Sequence, residues 1–218
     1  MKLAARLALV LIPLAMGIRP AAAESGDLTE QARLLMSSPD VRLTAIYELP
    51  TRPDVLENIL REPIFLMRLW EAYRFSPRYR ARLVNDDGIH VDDPTGISGD
   101  IFLAERLGSR RVYVACGALN HRLVPPFRGK LAVVLASVPG ESAVNAHIDV
   151  YLRMDNRIIG FLARSLYPLV RSLMQHRLSS NASDMGTILH DLAEAPKDTA
   201  GRLDKDDAAA LLEVLSGK

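Results

Sequence analysis

His147 and Asp149 stand two residues apart, with Tyr151 and Arg153 continuing the same polar row. An imidazole and a carboxylate at that spacing could share a proton, as a general acid and base do. The same row is also what a half-buried strand shows to solvent, and that reading predicts that the stripe points away from the core. His90 with Asp92 and Asp93 brings metal-ligand residue types together. The spacing is loose, no second ligand cluster accompanies it, and the surrounding Asp, Pro and Gly residues favour turn chemistry. His121 and His176 have no partner at ligand spacing. Ser137, Ser142 and Ser165 lack a nucleophile-elbow setting, so a Ser-His-Asp hydrolase has no support. Gly96 and Gly99 do not form a phosphate-cradling loop. Arg128 could meet a carboxylate or phosphate, or only solvate the loop beside Pro125-Pro126-Phe127. The single Cys116 lies in an apolar run and reads as a small buried side chain; no intramolecular disulfide can form. Asn181-Ala182-Ser183 is a glycosylation acceptor only in a eukaryotic secretory route. No catalytic residue, metal ligand or cofactor is assigned on these grounds.

The elements that must position such residues are clearer. Val144, Ala146, Ile148, Val150, Leu152 and Met154 alternate with Asn145, His147, Asp149, Tyr151 and Arg153. A period of two over this length predicts a half-buried antiparallel strand. From Ile158 the period becomes helical, through Ile159, Leu162, Leu166, Leu169, Val170, Leu173 and Met174. Pro168 should kink this helix or divide it, and residues 179–183 read as a further break. Residues 41–49 alternate as a first strand, with Ile46 the misfit on the polar side. Thr51 is placed to cap a following helix and Pro53 to begin it; Pro63 begins another carrying Phe65, Leu69, Trp70 and Tyr73. Strands are expected at residues 82–85, 101–107, 111–119 and 130–138, paired as an antiparallel meander. Residues 124–127 read as a loop, because two prolines do not fit a central strand. Residues 24–40 read as a short helix or lead-in, residues 197–204 as polar linker, and residues 206–215 as a short terminal helix.

The first 23 residues have the form of a secretory leader. Lys2 and Arg6 precede an apolar run at residues 7–16, and Ala21-Ala22-Ala23 offers a cleavage site before Glu24. Export, to a bacterial periplasm above all, is the expectation. Loss of Lys2, Arg6 and Arg19 from 27 basic residues leaves 24 against 26 acidic ones, a net charge near −2. That balance offers no footprint for nucleic acid. The roughly 195 remaining residues suffice for one domain with a sizeable core.

The order is strand, two short helices, a run of antiparallel strands, and a long C-terminal helix. It resembles the START-like and Bet v 1-like helix-grip superfamily. The likeness rests on Thr44-Ala45-Ile46-Tyr47-Glu48-Leu49-Pro50, then Pro53-Asp54-Val55-Leu56-Glu57-Asn58-Ile59-Leu60, then Leu69-Trp70, and on residues 142–154 leading into residues 158–178. The implied fold is α+β, a curved antiparallel sheet wrapped around the long helix, over residues 41–196. The resemblance implies an apolar cavity between sheet and helix, holding a lipid or other apolar small molecule, with no cofactor and with transient membrane contact. On this scheme the lining comprises Trp70, Tyr73, Ala115, Val133, Leu135, Ala146, Ile148, Val150, Leu162, Leu166 and Leu169. Small residues at Ala115, Ala132, Ala136 and Ala146 would leave room on the inner face. Two alternatives remain open: an enzyme on the same scaffold, of cyclase or hydrolase type, or a non-catalytic interaction protein of the envelope. The catalytic alternative requires a His, Asp or Arg projecting between sheet and helix.

Overall fold

The computed structural model describes residues 25–217, apart from 77, 86, 87, 95, 122, 123, 142 and 166. For some helix and strand positions, Leu162 and Leu169 among them, it describes the backbone only. The leader read at residues 1–23 lies outside the described residues. Helix α1 (Ser25–Ser37) and strand β1 (Val41–Leu49) are followed by helices α2 (Pro53–Ile59) and α3 (Pro63–Ala72). Six strands come next: β2 (Arg80–Asn85), β3 (Gly88–Asp93), β4 (Ile97–Leu107), β5 (Arg110–His121), β6 (Val124–Pro139) and β7 (Val144–Met154). Helices α4 (Arg157–Ser165), α5 (Tyr167–Glu194), α6 (Pro196–Ala200) and α7 (Lys205–Ser216) complete the chain.

The strands form one antiparallel sheet in the order β1-β7-β6-β5-β4-β3-β2. Its register follows from the period of two. Val41, Leu43, Ala45, Tyr47 and Leu49 oppose Leu152, Val150, Ile148, Ala146 and Val144, so two apolar rows share one face. A one-residue slip would turn both rows to solvent, which fixes the pairing. Ile46 is 59% exposed on the other side, as its place in the sequence pattern predicts. Irregularities at Leu83/Asn85, Leu103/Glu105 and Leu119/His121 bend the strands and help the sheet curl. Helix α5 lies in the resulting trough: Met174 packs with Val41, Leu43, Val150 and Leu152, and Ile188, Leu189 and Leu192 pack with α2 and α3. The architecture is a helix-grip.

The convex face is covered as well. Leu28, Ala32 and Leu35 of α1 pack on Phe102, Val112, Val114, Ala132 and Val134. The stretch read as a lead-in therefore forms a layer of its own. Gly88 belongs to this arrangement, because a Cβ there would lie 2.5 Å from the Phe102 ring.

Several expectations are corrected. At Pro168 the second of the two expected outcomes holds, a division rather than a kink: α4 ends at Ser165 and α5 starts at Tyr167, so Pro168 occupies a first turn, where its missing N–H is not needed. No break occurs at residues 179–183. Ala182 is buried, and Asn181 accepts a hydrogen bond from Tyr79, so packing overrides weak helix propensity. Pro125 and Pro126 lie within β6 rather than a loop. Pairing with β7 begins only at Gly129, so this part of β6 lacks a β7 partner. Thr51 does not cap α2; its hydroxyl donates to the Leu189 carbonyl in α5 at 3.2 Å. The stretch read as polar linker contains α6, with Thr199 and Ala200 buried. Helix α7 packs into the core through Leu211, and Asp204 caps it by accepting from the Asp207 N–H.

Candidate functional site

A cavity of about 330 Å³ lies between the inner face of the sheet, helix α3 with the Leu60–Glu62 link before it, and α5. That is near the lower end of the roughly 300–1,000 Å³ typical of small-molecule sites. Period two supplies its sheet wall: Ile101 and Leu103 from β4, Tyr113 and Ala115 from β5, Leu131 and Val133 from β6, Ile148 and Val150 from β7. Helix α3 contributes Ile64, Met67 and Trp70, and α5 contributes Leu178, Asn181, Ala182 and Met185. Arg61, Glu62, Leu83 and Arg106 also line it and are exposed, so they mark the mouth.

Trp70, Ala115, Val133, Ile148 and Val150, all expected in the lining, come together there. Leu135 and Ala146 share the inner face but fall outside the lining, because residues of α2 and α3 pack over that end of the sheet. Tyr73 is turned elsewhere: its hydroxyl donates to Asp191 of α5 and Arg202 stacks 4.2 Å over its ring. Burial, and then the Asp191 carboxylate, push that phenol's pKa up. Leu166 and the side chains of Leu162 and Leu169 lie outside the described residues; the helix wall is supplied further along α5, from Leu178 to Met185. Ala132 and Ala136 cannot widen the cavity. Ala132 opposes Val114 under α1 and Ala136 opposes His147, so both lie on the convex face.

Sequence reasoning missed Tyr113, which follows from Ala115 by the period of two. It also missed Arg106, for a physical reason. The irregularity between Leu103 and Glu105 shifts the alternation, so that Arg106, facing Arg111 across the strand pair, shares the face of Leu103. Among the described residues the Tyr113 hydroxyl makes no hydrogen bond, and burial raises its pKa, so it stays a neutral donor.

Two charged clusters flank the cavity. Arg111, fully buried, makes a bidentate pair with Glu57 of α2 at 2.9 and 2.6 Å. The Arg111 hydrogen bonds hold the Glu57 carboxyl below its usual range, against the opposing effect of burial. On α5, Arg177 donates to Asp93 at 3.1 Å and to the Tyr79 hydroxyl, tying the helix to the end of β3. Burial lowers the Arg177 pKa to about 10, so it remains charged at neutral pH. Trp70 stacks edge-on against Tyr79 at 5.8 Å, and its buried indole N–H has no partner among the described residues.

The polar stripe of β7 faces outward, where His147 is exposed and Asp149 accepts from Thr44 and Arg42. His90 and Asp92 are not turn residues. They lie on the convex face of β3, whereas Asp93 points inward to Arg177. His90 Nδ1 is 2.6 Å from Asp100 and its Nε2 is 3.1 Å from Ser98. Those contacts resemble a hydrolytic triad, but the Ser98 hydroxyl donates to Asp92 at 2.5 Å. The backbone around Ser98 is committed to pairing with β3 and β5, which leaves no pair of N–H donors for an oxyanion. The cluster binds two strands together on their solvent side. A further depression of about 550 Å³ lies between α1 and the β6–β7 edge, among Asp40, Lys130, Arg153 and Asp155.

No protein-family model matches the chain, and no curated protein matches it. Solved structures do. A conserved protein from Geobacillus kaustophilus superposes with a TM-score of 0.51, covering 70% of this chain and 97% of its own, at 12% identity. A Rhizobium loti protein gives 0.42 at 13% identity, covering 66% of this chain and 95% of its own. Dicamba monooxygenase bound to dicamba gives 0.45 at 10% identity, covering 92% of this chain and 63% of its own. At such identity the likeness to the Geobacillus protein is one of fold alone.

Proposed function

We propose that the protein is an exported, START-like carrier of a small apolar ligand held between the sheet and α5. The cavity carries this reading. Its interior is built from Leu, Ile, Val, Met and Ala side chains, with Tyr and Asn groups at few points, the composition expected of a small-molecule site. Its size also sets a limit. A cavity of about 150 Å³ accommodates benzene, so about 330 Å³ corresponds to a single molecule of roughly a dozen non-hydrogen atoms, not a two-chain lipid.

A carrier is favoured over a catalyst by the lining. Among the described residues no His or Asp lines the cavity; Arg61 and Arg106 reach it only at its exposed mouth beside Glu62, and the inward Arg111 and Arg177 are paired with Glu57 and Asp93. Export rests on the leader-like residues 1–23. Transient contact with a membrane would use α4, where Ile158 and Phe161 are 71% and 62% exposed. Among the described residues no helix is long and apolar enough to cross a membrane.

Solvent extraction of the purified protein followed by mass spectrometry tests the reading. It predicts a co-purifying apolar compound of the size stated. Protein that carries none, and whose cavity takes up no apolar probe, would contradict it.

A further inference from the structure

The mouth of the cavity has a chemistry different from its interior. Arg106 lines it, and Tyr113 lies on the cavity wall behind, on the adjacent strand and the same face, within electrostatic reach of Arg106. The Tyr113 hydroxyl makes no hydrogen bond among the described residues. Glu57 is the acid that shares their electrostatic neighbourhood, and it is taken up by the bidentate bond to Arg111. Arg106 is therefore left facing the opening, which Arg61 also lines, and among the described residues Glu62 is the acid that lines it with them.

Each ligand class meets this end differently. A plain hydrocarbon would leave the phenol O–H desolvated and unbonded, which is costly. An amine would meet arginine charge. An alcohol would satisfy Tyr113 and leave Arg106 unused. A carboxylate accepts from the phenol and pairs with the guanidinium, making two charge-assisted contacts. We propose that the ligand is an apolar monocarboxylic acid, its carboxylate held at the mouth by Tyr113 and Arg106 and its hydrocarbon body lying inward against Ala115, Val150 and Leu178. This rests on the carrier reading and names its ligand class.

Trp70, the only tryptophan, lines the same cavity, so its fluorescence reports occupancy. The full chain is titrated with decanoate, decanol and decylamine, which share a hydrocarbon body and differ in head group. Decanoate is expected to bind about tenfold tighter than decylamine, with decanol between them. Arg106 is exposed, so Arg106→Gln should fold normally, with an unchanged melting temperature as the check. It should shrink the decanoate-to-decylamine ratio to about threefold or less. Tyr113→Phe should weaken decanoate and decanol together. Decanol or decylamine binding as tightly as decanoate, or Arg106→Gln keeping the full ratio, would overturn the carboxylate proposal and leave the carrier reading standing. Saturable binding by none of the three would overturn both.

Discussion

Arg111 is the residue on which the inner wall depends. Its guanidinium is fully buried, and Glu57 supplies its counter-charge across the gap to α2. Glu57→Gln would leave a buried cation without an anion, and the expected loss is about 3 kcal/mol, the lower end for breaking such a pair because Glu57 is partly exposed. At about 3 °C per kcal/mol for a chain of this size, the melting temperature should fall by roughly 9 °C. The pair also sets a pH dependence. The Glu57 carboxyl is held below its ordinary 4.5, so the stability it contributes is complete above that pH. It is lost as pH falls through the lowered folded value. Denaturant midpoints measured from pH 7 to pH 3 should drop more steeply for the wild type than for Glu57→Gln; parallel curves would contradict this. None of it was legible in the sequence. Glu57 and Arg111 are far apart along the chain, and a charged residue on an apolar strand face gives no sign of its partner. Trp70, Ala115, Val133, Ile148 and Val150 were legible as lining because period two assigns them to one face of the sheet.

At the level of elements, the first and last strands of the chain were read to the residue, since β7 alternates without interruption and β1 does so with Ile46 its one misfit. Local pattern failed where tertiary contacts intervene. The register shift in β4 brought Arg106 to the inner face, and buried Ala182 carried α5 through a serine-rich stretch that propensity alone would break. The layer formed by α1 was hidden for another reason: the polar stripe on β7 suggested an open convex face, whereas the apolar outward residues belong to Phe102, Val112 and Val114 on β4 and β5. Two substitutions test that layer. Leu35 is 4% exposed, and Leu35→Ala should cost about 2–4 kcal/mol by equilibrium unfolding. Gly88→Ala would drive a methyl group into the buried Phe102 ring and should cost about 1–3 kcal/mol. A change within about 0.5 kcal/mol of zero for both would mean that α1 does not hold the convex face.

For the whole molecule, two opposed packings determine what the fold can do. Helices α2, α3 and the C-terminal half of α5 fill one end of the trough, and Met174 with β1 and β7 fills the other. The space of about 330 Å³ lies where small and β-branched side chains of β5, β6 and β7 face α5. The proposed apolar ligand would occupy this space beside Trp70. Quenching of Trp70 fluorescence by 10-bromodecan-1-ol tests it most directly, because the bromine atom quenches by contact and the chain has one tryptophan. Ala115→Phe, which places a ring into the cavity from β5, serves as the blocked form; filling the space should leave the melting temperature unchanged or raised. Saturable one-to-one quenching is expected in the wild type, and its loss in Ala115→Phe. Linear, unsaturating quenching in the wild type, or saturable quenching that survives in folded Ala115→Phe, would contradict it.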